Sequence, residues 1–181
     1  MARRKTVEVR SIVYAACCLA LCMVLPLITG SIPNIGKQFA PMHFPVFLCG
    51  FIAGPFWGGV VGFIAPFLRN FIFGTPFLYP NALRMAFELL AYGAAAGFFY
   101  RHLPKKPYGI YFSLLSAQFF GRLAWGLAQY SLSLLDQGNE FYLEMIVSHT
   151  ISSSLYGIAI QLILIPPIVF AMQKARFISK Y

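Results

Sequence analysis

The residues able to do chemistry in this chain are few, and they lie inside apolar runs. Arg69, Arg84, Glu88, Arg122 and His149 are ionisable groups surrounded by hydrophobic sequence. Asn81, Gln118, Gln129 and Ser152-Ser153-Ser154 add neutral hydrogen-bonding groups to the same stretches. Three arginines therefore face one glutamate at depth, since Glu144 lies too near a segment end to count fully. Arg84 and Glu88 are four apart and share a helical face, which predicts an ion pair between them. Arg69, near a segment end, has the option of reaching toward lipid headgroups. Arg122 falls mid-segment with no obvious carboxylate partner, so it is the expected principal contact for an anion, with Arg84 second. A guanidinium grips a carboxylate or phosphate through two parallel hydrogen bonds. That surplus positive charge points to a small organic anion as ligand.

An alternative chemistry is catalysis. His149 and Ser153 are four apart on one helix, the spacing of an intramembrane Ser/His hydrolase candidate. A nucleophile also needs its base in hydrogen-bond geometry and an oxyanion hole, and the sequence signals neither. Helix packing accounts for the serines and an interhelical hydrogen bond for His149 equally well. Metal chemistry is no better supported. Cys17, Cys18, Cys22 and Cys49 all sit in apolar runs without further ligands nearby, which fits packing rather than zinc. No cofactor is expected.

The elements that must position these groups are membrane spans. The chain of 181 residues is 59% hydrophobic and only 10% charged, against about 25% charged in a soluble domain. Breaks at Gly30–Pro41, Gly54-Pro55, Gly74–Pro80, Arg101–Pro107 and Asp136–Glu140 divide it into six segments, 10–29, 42–54, 56–73, 81–100, 108–135 and 141–173. The fold class is all-α, a polytopic bundle of six transmembrane helices in one integral membrane domain, 1–181. The first segment follows a basic start but lacks a clear cleavage signature, so it reads as a retained helix and not a signal peptide. Merging the second and third segments would leave five spans. Charge decides against that. Arg3, Arg4, Lys5, Arg10, Arg101, Lys105, Lys106, Lys174, Arg176 and Lys180 all fall on the cytoplasmic side in a six-span arrangement with both termini inside, as the positive-inside rule requires. The net charge of +9 is thus a topology signal. It forms no stripe interleaved with aromatics, which excludes nucleic acid as partner.

Two outer loops, 30–41 and 74–80, are rich in Gly, Pro and aromatics and suit a cover over a pocket. Lys37 and Tyr79 are their candidate ligand contacts. In the first span, Ala16-x-x-x-Ala20 makes a smooth patch on which another helix can pack closely.

Over nearly its whole length the chain resembles the substrate-binding S components of energy-coupling factor (ECF) vitamin transporters. The resemblance rests on six spans in under 200 residues, on Ala16-x-x-x-Ala20, and on Pro41-Met42-His43-Phe44-Pro45-Val46-Phe47-Leu48-Cys49-Gly50 followed by Gly54-Pro55-x-x-Gly58 and Gly62. Met85-Ala86-Phe87-Glu88-Leu89-Leu90-Ala91-Tyr92-Gly93 adds to it. It implies a prokaryotic plasma-membrane subunit that holds a vitamin near the outer side, under the first and third outer loops, between spans four to six. It also implies a complex with a membrane scaffold (T) subunit, docked through the alanine motif, and two cytoplasmic ATPases, with the S subunit toppling to deliver its ligand. The chain has no Gly-x-x-x-x-Gly-Lys-Ser/Thr loop of its own, as befits a binding subunit and not an enzyme. The second-span motif is most similar to the pantothenate-type subgroup; pyridoxine, folate and riboflavin are the other ligands to consider.

Overall fold

A computed structural model describes residues 2–30, 41–104, 106–135 and 155–175. Six helices account for nearly all of them: α1 (Ala2–Gly30), α2 (His43–Ala53), α3 (Pro55–Phe73), α4 (Leu83–His102), α5 (Pro107–Leu135) and α6 (Leu155–Lys174). No strand occurs among the described residues. The bounds of α2 to α5 agree with the expected segments to within two residues, while α1 begins eight residues before its apolar segment. The part of the last segment at 141–154 lies outside the described residues.

Four stretches are long and apolar enough to cross a bilayer: Val9–Thr29, Pro55–Phe73, Leu78–His102 and Gly157–Lys174. At 1.5 Å per residue about 20 residues cover the hydrocarbon core. The 29 residues of α5 exceed that length, but Ser113, Gln118 and Gln129 are buried along it and lower its apolar character. The 11 residues of α2 are short, about 16 Å by the same rise.

The α2–α3 boundary answers the question of five segments or six. Gly54 adopts φ 97°, a conformation that favours glycine, and Pro55 opens α3 with no amide hydrogen to satisfy. A Cβ added to Gly58 would lie 2.7 Å from the Cα of Gly50. In one continuous helix those residues would be about 12 Å apart. The chain therefore reverses at Gly54, and α2 and α3 form a helical hairpin.

That hairpin packs on α4 through glycine. A Cβ on Gly93 would come within 2.2 Å of the Gly58 carbonyl oxygen, and one on Gly97 within 2.5 Å of the Pro55 nitrogen. Gly58-x-x-x-Gly62 and Gly93-x-x-x-Gly97 are the small-residue spacing by which membrane helices bring backbones into contact. Around this seam the core is filled by Phe47, Leu89, Tyr92, Ile110, Leu114, Ile165 and Val169, all buried. Phe56, Phe71, Phe119, Leu127 and Leu134 point outward. Large apolar side chains over the outer surface are what a bundle solvated by lipid presents.

On α1 the buried face carries Ala15, Cys18, Cys22 and Met23. Cys49 is buried opposite it on α2, and the Cys22 thiol donates to the Met42 carbonyl oxygen at 3.6 Å. Ala16 and Ala20 lie on the other side of α1 and are exposed.

Candidate functional site

One carboxylate organises the interior. Glu88 on α4 is 2% exposed, and a charge held there needs partners that replace its water. The Arg122 guanidinium on α5 donates from Nη1 to Oε1 at 2.8 Å. The Tyr92 hydroxyl donates to the same oxygen at 2.9 Å. His43 of α2 brings Nε2 to 4.0 Å from it. Three helices thus converge on one oxygen atom. Tyr92 reaches Glu88 because helical side chains lean toward the N-terminus, onto the residue four positions earlier. The Tyr92 ring packs against His43 and Phe47, with centroids 5.4 and 4.9 Å away. It also occupies the space left by Gly121, where a Cβ would sit 2.2 Å from ring carbon Cε1.

This corrects the pairing expected from spacing. Glu88 pairs with Arg122, not with Arg84, so Arg122 is not the arginine lacking a carboxylate. The lean of the side chains explains the outcome. Arg84 is N-terminal to Glu88, the less favourable order for an i, i+4 pair, and its guanidinium leans further back, to Asn81 Oδ1 at i−3. Its other terminal nitrogen donates to Gln129 Oε1 on α5.

A small cavity of about 10 Å³ adjoins the Glu88 cluster, lined by His43, Tyr92, Gln118, Arg122, Gly157, Ile158 and Gln161. Its size is room for roughly one water. Gln118 Nε2 donates to Gln161 Oε1 at 2.7 Å, closing the wall between α5 and α6. Both glutamines are buried. The wall is polar within an apolar bundle.

The remaining expected site residues disperse. Arg69 Nη1 donates to the Met23 carbonyl oxygen of α1 at 3.4 Å, and the guanidinium carbon lies 5.3 Å from the Phe73 ring centroid. It fastens α3 to α1. Asn70 donates to the Pro76 carbonyl oxygen at 2.6 Å, which ties down the loop 74–80. Tyr79 is 49% exposed, in an extended residue within the turn Leu78–Ala82 before α4. Lys37, His149 and Ser152-Ser153-Ser154 lie outside the described residues, and with them the Ser/His pair.

Four further residues of the cluster carry weaker sequence signals. His43 stands at a segment boundary, and Gln161 lies in the last apolar run, where an intramembrane amide is itself a signal. Tyr92 stands four residues after Glu88, a spacing that does predict the observed hydrogen bond. Gly121 carried no local signal, because its role is to leave space for a ring on another helix.

A family model described as the substrate-specific component of ECF transporters matches residues 10–179. No curated protein and no solved structure matches the chain.

Proposed function

The chain belongs to the family of ECF transporter substrate-specific components, and on that premise we propose that it captures a small anionic vitamin, pantothenate first, for ATP-driven uptake. It is a membrane-embedded binding subunit of a transporter and not an enzyme, as its family is. The observation that supports a ligand site is the polar wall inside an apolar bundle. His43, Gln118, Arg122 and Gln161 surround one cavity between α2, α4, α5 and α6. Such groups are expensive in a membrane interior and are placed there for a purpose. The carboxylate of Glu88 holds Arg122 in place and offsets its charge, so the wall offers hydrogen bonds more than net charge.

The partners are a membrane scaffold (T) subunit and two cytoplasmic ATPases. Ala16 and Ala20, exposed on one side of α1, form the docking face. Both termini are cytoplasmic in this reading, because the basic flanks then share one side.

The test is equilibrium binding of the purified full chain to pantothenate, pyridoxine, folate and riboflavin in turn. Saturable binding, tightest for pantothenate, is the expected result. Absence of saturable binding to any of them would overturn the reading.

A further inference from the structure

Seven residues beyond Arg122 on α5, a second polar cluster sits on the same helical face. Gln129 is fully buried there. Its Oε1 accepts from Arg84 Nη1, and Arg84 Nη2 donates to Asn81 Oδ1. Arg84 is half-buried, and both of these hydrogen-bond partners are neutral amides. The ion pairs among the described residues engage Glu88 with Arg122 and with His43, and leave the Arg84 charge without a carboxylate. Two donors of the cluster, Arg84 Nε and Gln129 Nε2, are buried and meet no acceptor among the described residues. A buried N–H without an acceptor is costly. Here two belong to side chains already joined by a hydrogen bond, one of which carries a full positive charge.

From this cluster we infer that Arg84 and Gln129 bind the carboxylate of the transported ligand, through Arg84 Nε and Gln129 Nε2. Asn81 and the Gln129 side-chain oxygen hold the guanidinium fork in position. A carboxylate supplies what the cluster lacks, a negative charge and two acceptor oxygens in one plane. The inference rests on the reading of the chain as a binding subunit and assigns the part of the ligand that site reads. Arg122, the nearest residue of α5 that lines the cavity, lies two helical turns away, about 10 Å. The ligand is then an elongated acid. Its carboxylate sits at Arg84, and its uncharged, hydrogen-bonding end points toward Gln118 and Gln161.

The experiment needs no vitamin. Trp125 is buried one turn before Gln129 on α5, and Trp57→Phe leaves it as the sole tryptophan reporter in the purified full chain. The protein is titrated with propionate and, separately, with propionamide. A saturable change in Trp125 fluorescence is expected for the acid and not for the amide. Arg84→Gln should weaken the propionate response about 10- to 100-fold, the loss of one charge-assisted hydrogen bond. Gln129→Glu keeps the side-chain size and gives Arg84 an internal carboxylate. It should abolish the response while the melting temperature stays at or above that of the parent. The inference is overturned by no saturable response to propionate, by an equal response to propionamide, or by a propionate response that survives Gln129→Glu. A vitamin bound without a propionate response overturns this inference alone; a propionate response with an empty vitamin panel overturns the transport reading alone.

Discussion

Arg122 and Glu88, 34 positions apart in the chain, meet at 2.8 Å between α5 and α4. Glu88 is almost wholly buried, and the hydroxyl of Tyr92 shares the same carboxylate oxygen. Removing one member of such a pair leaves the other charge uncompensated. Arg122→Met should therefore lower stability by about 3–5 kcal/mol, whereas Arg122→Met combined with Glu88→Leu should recover most of it. Unfolding of the purified variants in mild detergent measures both. A double variant no more stable than the single one would show that the pair does not act as a unit.

Gly121 and Tyr92 should behave as one site. Tyr92→Phe removes a hydrogen bond to a charged acceptor, a loss of about 1.5–3 kcal/mol. Gly121→Ala pushes a methyl into the ring position, at about 1–3 kcal/mol for overpacking. Because both displace the same hydroxyl, the double variant should lose less than the sum, by more than the roughly 0.5 kcal/mol scatter of independent sites. Strict additivity in a thermal unfolding cycle would count against the contact.

The glycines of the hairpin seam should not tolerate a methyl group. Gly93→Ala places Cβ 2.2 Å from the Gly58 carbonyl oxygen, which belongs to backbone and cannot rotate away. We expect loss of monodisperse protein, or destabilisation at or above the 1–3 kcal/mol range of about one overpacked methylene. Gly74 is the control. It has φ 70° but open space around it, so Gly74→Asn should be close to neutral, since Asn is tolerated in that left-handed conformation.

Much of the architecture is legible in the sequence. The apolar runs and the Gly54-Pro55 break predict α2 to α5 to within two residues of their observed bounds. The lateral pairings were not legible. Spacing along one helix says which residues share a face, and it put Arg84 beside Glu88. It cannot say that α5 turns Arg122 toward that face. The direction in which side chains lean favoured Tyr92 as a partner of Glu88 and disfavoured Arg84. Gly121 marks the remaining gap, because its contribution is a space shaped for a side chain of another helix.

Ala16→Trp and Ala20→Trp should abolish vitamin uptake in the assembled transporter and leave binding to the isolated subunit within about twofold. Both alanines are exposed on α1, away from the packed face of Ala15, Cys18 and Cys22, so a bulky side chain can meet a partner helix without disturbing the interior. Retained docking with lost vitamin binding would refute the assignment. Uptake assays, copurification of the ATPases and ligand titration separate the outcomes.

Single cysteines introduced at 101–107 and 136–140 in a cysteine-free background should label from opposite sides of intact cells, the first from inside. Labelling of both from outside would overturn the six-span orientation, whose basis is the distribution of basic flanks.

The glycine seam also has a mechanical consequence. Where side chains separate two helices, a change of rotamer can absorb a small slide. Where carbonyl meets Cα, as between Gly58 and Gly93, there is no such slack, and interlocked surfaces shift together or separate altogether. The hairpin of α2 and α3 thus travels with α4 as a rigid frame, carrying Glu88 and His43 on it. Between α5 and α6 the contact is of another kind, the amide bridge of Gln118 and Gln161. Breaking one hydrogen bond there costs little beside prising apart two backbones, so relative movement of helices is cheaper between α5 and α6 than within the glycine seam.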